Sequence, residues 1–476
     1  MNKQTMHFIT GYFFLGTLTF LKNLRLFPGI VFGILSFSVN AQEAMNIRLL
    51  GEWNSSSVSV NPQGAKFSDL WAFDINGINY AALCSTDGIH FIEIGTDGSM
   101  VERDFVQGVH FGPNVVNRDV ATFNGYLYAV CDHGFSTLQI IDLHYLPDSV
   151  HVVLSTDQFF QRAHSVFVDT SSATLLVCGP SSTVNGDRAM DVFSLSNPEN
   201  PSLLGSFNSV QYVHDAYMRN DTAWLNCGFD GLLVVRINNP FSIQIIGDLP
   251  AYPEMGYNHS GWLSEDGRHY VFSDETPNRR MKLCDVSNLN DIQVLSLFHS
   301  GTNAQNMAHN MMLFEDYVYV SHYRDGLQIF DISDKSFPKR IAWYDPEPVD
   351  GFAFSGAWGV YVYRNEQRIL ISDMQRGLLH YQFEAPPRLA SDRTEFGVAP
   401  NPASDVIWFW RSSSRLYPVQ LQIWDLSGKI VFEAKFPSID RFSVDISSWD
   451  SGMYFFTISG IEVSTNYSGK FIVSHQ

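Results

Sequence analysis

This sequence predicts an all-β protein made from one repeated four-strand unit, and three observations carry that reading. Short runs rich in β-branched and aromatic residues fill the chain after residue 45, and no long stretch there has a helical period. A histidine heads a strand-like run at His164, His214, His259 and His309, at intervals of 50, 45 and 50 residues. Cys84, Cys131, Cys178 and Cys227 recur at intervals of 47, 47 and 49 residues, each following an apolar strand, with Cys284 outside the rhythm. Repeats of about 40–50 residues are the size of a four-stranded sheet in a ring of such sheets.

Taken in chain order, residues 1–41 read as a signal peptide. Lys3, Lys22 and Arg25 precede the apolar run 26–39, and Val39-Asn40-Ala41 ahead of Gln42 has the small residues of a cleavage site. A second apolar stretch, 8–20, lengthens the leader, and an N-terminal membrane hairpin is the alternative reading. Nothing after residue 45 approaches the length of a membrane span, so none is expected in the mature chain.

Alignment on the histidines extends the series to registers at 69, 119, 164, 214, 259, 309 and 356, occupied by Asp69, Asp119, the four histidines and Gly356. Each register opens the same order of segments. In the second, DVATF leads to an Asn124-Gly125 turn, then YLYAV, a turn at Asp132-His133-Gly134, LQIIDL and VHVVLS. Asn-Gly between two such runs signals a hairpin, because a type I′ turn needs positive φ at both central residues. The sixth repeats the scheme with HNMMLF, YVYVS, Asp325-Gly326, LQIFDI and KRIAWY. The seventh, GAWGVYVY, RILISD and GLLHYQF, lacks a fourth strand, which NIRLLGEW at 46–53 would supply. The expectation is a seven-bladed β-propeller over residues 42–384, closed by an N-terminal strand so that no sheet edge is left open. In that setting the cysteines read as buried structural thiols more readily than as disulfides.

The strand phrases LQIIDL and LQIFDIS, with Pro-bearing loops such as SLSNPENPSLLGSF, resemble the LVIVD-repeat propellers. More narrowly, residues 45–384 resemble the secreted bacterial "choice-of-anchor B" proteins, which pair such a propeller with interchangeable C-terminal sorting modules. The resemblance implies a secreted or surface propeller and carries no activity with it.

A polar, Pro-bearing linker at 385–395 separates this region from residues 396–476, where short strands alternate with turns such as Leu426-Ser427-Gly428 and predict a small β-sandwich. PNPASD (400–405), IWDLSGKIV (423–431) and DISSWDSGMYFFTI (445–458) resemble the type IX (Por) secretion sorting domain of Bacteroidetes. That resemblance implies the type IX machinery as a partner, export through the periplasm, and a secreted or outer-membrane surface location. The chain departs from the family in its tail, where only Lys470 stands before FIVSHQ.

A net charge of −19 argues against nucleic acid, whose phosphates require a basic face. No phosphate loop, dinucleotide fingerprint, His-Glu-x-x-His or Gly-x-Ser-x-Gly is present, and no catalytic residue is assigned. The register position is the chemically distinctive one, because the first strand of every blade faces a common axis. His164, His214, His259 and His309 are therefore candidate ligands for a divalent transition metal, with Asp69 and Asp119 as additional ligands. Ser165, Asp215, Ser260 and Asn310, which follow the histidines, would orient the imidazoles. The competing reading is that a histidine useful for blade packing was copied along with the repeat. Trp71, Trp262 and Trp358 read as packing residues, the Asp-Gly pairs at 87, 230 and 325 as turns, and His133 and His322 as surface residues. The functional expectation is a propeller that binds an extracellular ligand, glycan or protein, through its channel face. The alternative is a metal-dependent lyase or hydrolase acting on extracellular polysaccharide.

Overall fold

The structure is a computed structural model that describes residues 44–475 apart from 240–241, 303–304, 306, 347–353, 365, 387–395, 400–401, 412–417, 438–440 and 461–465. The leader, most of the linker and the start of PNPASD lie outside the described residues. Among the described residues every regular element is a strand, and no helix is long and apolar enough to cross a membrane.

Among the described residues seven antiparallel sheets of at least four strands follow one another. Their first strands are Phe67–Ile75, Arg118–Phe123, Ser165–Asp169, Asp215–Arg219, Asn258–Leu263, Met311–Phe314 and Ala357–Tyr363. Ile47–Trp53 pairs antiparallel with Gly377–Phe383, so the seventh sheet takes its fourth strand from the start of the chain. The hairpins are those the turn chemistry demands, with Asn76-Gly77 and Asn124-Gly125 all at positive φ.

Position within a sheet sets the hydropathy of each strand. The second strands are nearly continuous apolar runs, such as YLYAVC and TLLVC, because both of their faces are covered. The fourth strands, such as MVERDFVQ and HVVLST, are largely exposed. Apolar clusters fill the space between successive sheets. Leu176, Met190 and Val192 of the third sheet meet Ala216, Leu225 and Val235 of the fourth, and Leu370 and Leu378 of the seventh meet Phe67, Ala81 and Leu83 of the first. Each large side chain buried in this way contributes about 1.5–3 kcal/mol.

All five cysteines are buried and free, the four at the repeat position and Cys284 outside it. Burial pushes the thiols of Cys84, Cys178, Cys227 and Cys284 up, to about 12 for Cys284, which makes these four poor nucleophiles. Two features have no counterpart in the sequence reading. Ala44–Met45 adds a fifth strand to the sixth sheet, and a small hairpin, Ser181–Ser182 with Gly186–Asp187, is inserted between the second and third strands of the third sheet.

Near the C-terminus, a three-stranded sheet and a four-stranded sheet share one core, in which Ile407, Phe409 and Phe442 meet Leu421, Ile423 and Phe456. Gly428 at φ 83 makes the turn in IWDLSGKIV.

Candidate binding site at the histidine row

The histidines sit at or just before the first strands, and two of them make bonds to the next sheet there. His214 Nδ1 donates to the carbonyl of His259 (3.2 Å), and His309 Nδ1 donates to that of Trp358 (2.8 Å). Asn117 makes the equivalent bond to the His164 carbonyl in the second sheet (2.8 Å). In these three sheets one side chain thus ties its strand to the next, which supports the packing role weighed for His214 and His309. A carbonyl only accepts, so Nδ1 of His214 and of His309 carries the hydrogen and Nε2 keeps its lone pair.

The four rings form a continuous row, with centroid separations of 4.2 Å for His164–His214, 4.2 Å for His214–His259 and 4.4 Å for His259–His309. Burial, reinforced by neighbouring imidazoles, holds His214 well below the usual histidine range. His259 and His309 are pulled down to about 3, chiefly by burial. These three imidazoles are therefore neutral at physiological pH.

Asp69 and Asp119 do not join this row. They gather instead with Asp215 around a cavity of about 60 Å³, among Trp71, Phe167 and Trp262. The reason is register. The second-sheet residue that takes the histidine place is Asn117, two positions before Asp119, and in the seventh sheet the ring beside His309 is Trp358, not Gly356 (4.3 Å). Burial raises all three carboxyls, Asp69 to about 7 and Asp215 to about 6, and Asp119 is raised further by the charges of the other two.

The residues after the histidines also differ from expectation. Ser165 Oγ donates to the His214 carbonyl (2.8 Å) and Ser260 Oγ to the His309 carbonyl (2.6 Å), so these hydroxyls brace backbone and do not orient imidazoles. Asn310 Nδ2 approaches Asp69 Oδ1 at 3.5 Å. His322, expected at the surface, is buried, because its turn packs inward and Asp325 Oδ2 lies 3.2 Å from its Nδ1. His133 is partly exposed and pairs with Asp132. Trp358 is buried with Met307, Tyr323 and Met374, while Trp71 and Trp262 are half-buried at the edges of the clusters.

The groups that turn the row into a site come from a different place, the residue that follows each second strand. Asp132 there reaches His164 Nδ1 at 3.2 Å. Glu275 lies with Oε2 3.7 Å from His259 Nε2 and Oε1 3.9 Å from His309 Nε2, and Oε1 also accepts from the Tyr323 hydroxyl. One ligand atom from each of His214, His259 and Glu275 lies within 4.8 Å of the other two. In the third sheet the same place is Gly179, and in the fourth Gly228 lies two residues past the second strand, Thr222–Asn226. A Cβ on Gly179 would sit 2.5 Å from the Tyr212 ring, and one on Gly228 would sit 2.7 Å from the Tyr257 ring. The missing side chains let both aromatic rings lie against the backbone, and both glycines take φ of 59°.

Beside His164 this arrangement opens a cavity of about 740 Å³. Tyr212, Tyr257 and Phe229 supply its aromatic surface, and Phe229 is 76% exposed. Arg162, Asp132 and Asp230 supply charge, and the inserted hairpin brings Asp187 and Arg188 to one side. Glu275, Asp132 and these aromatics were not singled out in the sequence. The signal that would have found them is an acidic residue directly after the second strand in two repeats, where the third repeat has glycine.

Residues 397–474 match the secretion system C-terminal sorting domain, and residues 306–345 match the LVIVD repeat. The chain carries a type IX sorting domain. It is accordingly exported by that system, to the cell surface or beyond it. No curated protein matches the chain. Among solved structures it is similar to the RRP9 WD40 repeats, at 13% identity over 72% of this chain and 99% of that one (TM-score 0.48). It is also similar to PorZ, a surface component of the type IX secretion system of Porphyromonas gingivalis, at 11% identity over 89% of this chain and 61% of that one (TM-score 0.44). A third similar structure is the Cps50 (Swd1) β-propeller domain of Myceliophteria thermophila, at 11% identity over 67% and 97% (TM-score 0.46).

Proposed function

We propose that the mature chain is an exported seven-bladed propeller of the choice-of-anchor B kind, from a Bacteroidetes-type bacterium, that binds an extracellular glycan at the mouth beside His164. In this reading residues 1–41 are removed, residues 42–384 form the ring, and residues 396–476 form a sandwich that addresses the chain to the type IX machinery. Seven successive sheets of four main strands, with the last completed by Ile47–Trp53, support the ring.

One observation carries the functional reading, the cavity of about 740 Å³ in which Tyr212, Tyr257 and Phe229 stand among carboxylates and guanidinium groups. Sugar rings offer C–H faces to aromatic surfaces and hydroxyls to charged hydrogen-bonding groups, so this mixture suits them. Titration of the purified chain against neutral and acidic oligosaccharides tests it. At least one should bind, and Phe229→Ala or Tyr257→Ala should weaken it about tenfold, consistent with the loss of one stacking contact. A panel with no ligand, or a ligand indifferent to both variants, would overturn the reading.

The approach of Glu275 to the imidazoles favours a second reading, a metal-dependent lyase or hydrolase acting on polysaccharide. Chain shortening that stops on chelation would distinguish it from simple binding.

A further inference from the structure

We propose that His214, His259 and Glu275 bind a divalent transition metal ion of the zinc class. The site does not depend on what occupies the mouth, so it can stand or fall apart from the glycan reading.

The donor set suits such an ion: two imidazole nitrogens and one carboxylate oxygen make the three-ligand pattern that leaves a position open for water or an exogenous group. The separations are also close to what is required. Ligand atoms about 2.0–2.1 Å from a tetrahedral ion lie roughly 3.3 Å from one another. His259 Nε2 and Glu275 Oε2 are 3.7 Å apart, and the three ligand atoms all lie within 4.8 Å. Binding would have to draw the ligand atoms together by up to about 1.5 Å through side-chain rotation.

The protonation pattern is set in advance. The His214 Nδ1 hydrogen is committed to the His259 carbonyl, which leaves Nε2 as the free donor atom. A backbone carbonyl on the far nitrogen is the usual partner of a metal-bound histidine. The carboxylate has its own support, since Tyr323 donates to Glu275 Oε1 and the Glu275 amide donates to the Tyr257 carbonyl.

Strand-tying accounts for Nδ1 of His214 and His309 but makes no demand on Nε2. The Nε2 atoms of His259 and His309 instead face Glu275 at 3.7 and 3.9 Å, too far for hydrogen bonds. The hydroxyl of Tyr323 satisfies one oxygen of the carboxylate and leaves Oε2 facing the His259 imidazole across this gap. A cation between Glu275 and the Nε2 lone pairs would bridge it, with His309 as the nearest further donor. The neighbouring group of Cys131, Asp132 and His133 is weaker, because Asp132 already engages both His133 and His164.

The test is metal content of the full chain after chelation and reconstitution with Zn²⁺ or Co²⁺, together with the visible absorption of the cobalt form. The expected result is about one ion per chain, falling at least about fivefold in Glu275→Gln and His259→Ala and unchanged in the exposed His151→Ala. Glu275→Gln keeps an acceptor for Tyr323, so it remains informative even where His259→Ala does not fold. Less than about 0.2 ion per chain in protein that melts cooperatively, or an undiminished ion in Glu275→Gln, would overturn the proposal.

Discussion

His164, His214, His259 and His309 stand in a row beside an open cavity, whereas Asp69, Asp119 and Asp215 share a cavity less than a tenth as large among Trp71, Phe167 and Trp262. Both groups are ionisable residues on first strands, or just ahead of them, in the same repeat. Burial drives both toward neutrality, and for that reason their pH dependences oppose each other. His259 and His309 titrate near 3 when folded, against an ordinary value of 6.5. The unfolded chain takes up those protons first, so their contribution is intact above about 6.5 and is lost as pH falls toward 3. Asp69 titrates near 7 and Asp215 near 6, against an ordinary value of 3.8. Their contribution is intact below about 3.8 and is lost as pH rises through 6 and 7. The comparison teaches that burial alone does not make a site. The carboxylates are enclosed by apolar walls, while the imidazoles have charged and aromatic partners and a way in.

The strongest challenge to this contrast is His309→Ala. It removes the bond to the Trp358 carbonyl and the ring packed against Trp358 and Tyr323. A cost of about 2–4 kcal/mol is expected in denaturant unfolding. A variant as stable as the parent would mean that the row does not hold adjacent sheets together. A smaller effect is expected from Asp119→Asn, which keeps an acceptor for the Val166 amide and removes the charge. At pH 8 it should melt about 2–4 °C above the parent. Between pH 6.5 and 4 it should lose stability more steeply, because one of the opposing carboxyls is gone. Parallel melting profiles for the two proteins would break the account of the carboxylate group.

The succession of four-stranded sheets was legible because a repeat multiplies a weak signal. Asn-Gly turns, apolar second strands and recurrent cysteines each say little once, but in register they locate every sheet and the strand borrowed from Ile47–Trp53. The histidines were legible for the same reason. Asp69 and Asp119 were misplaced because alignment to an apolar run tolerates a slip of one or two residues, and such a slip along a strand sends a side chain elsewhere. Glu275 and Asp132 were hidden because their position matters only once a neighbouring sheet brings a histidine to it, and nothing along the chain records that approach. Gly179 and Gly228 look like ordinary turn glycines until Tyr212 and Tyr257 are seen lying against them.

The most direct test of the central claim, that the imidazole side is the working face and the carboxylate side is structural, is equilibrium binding of one oligosaccharide to His164→Asn and Asp119→Asn side by side. The account predicts affinity about tenfold lower in His164→Asn, through loss of the pairing with Asp132, and affinity equal to the parent in Asp119→Asn. Equal losses in the two variants, or a loss confined to Asp119→Asn, would contradict it.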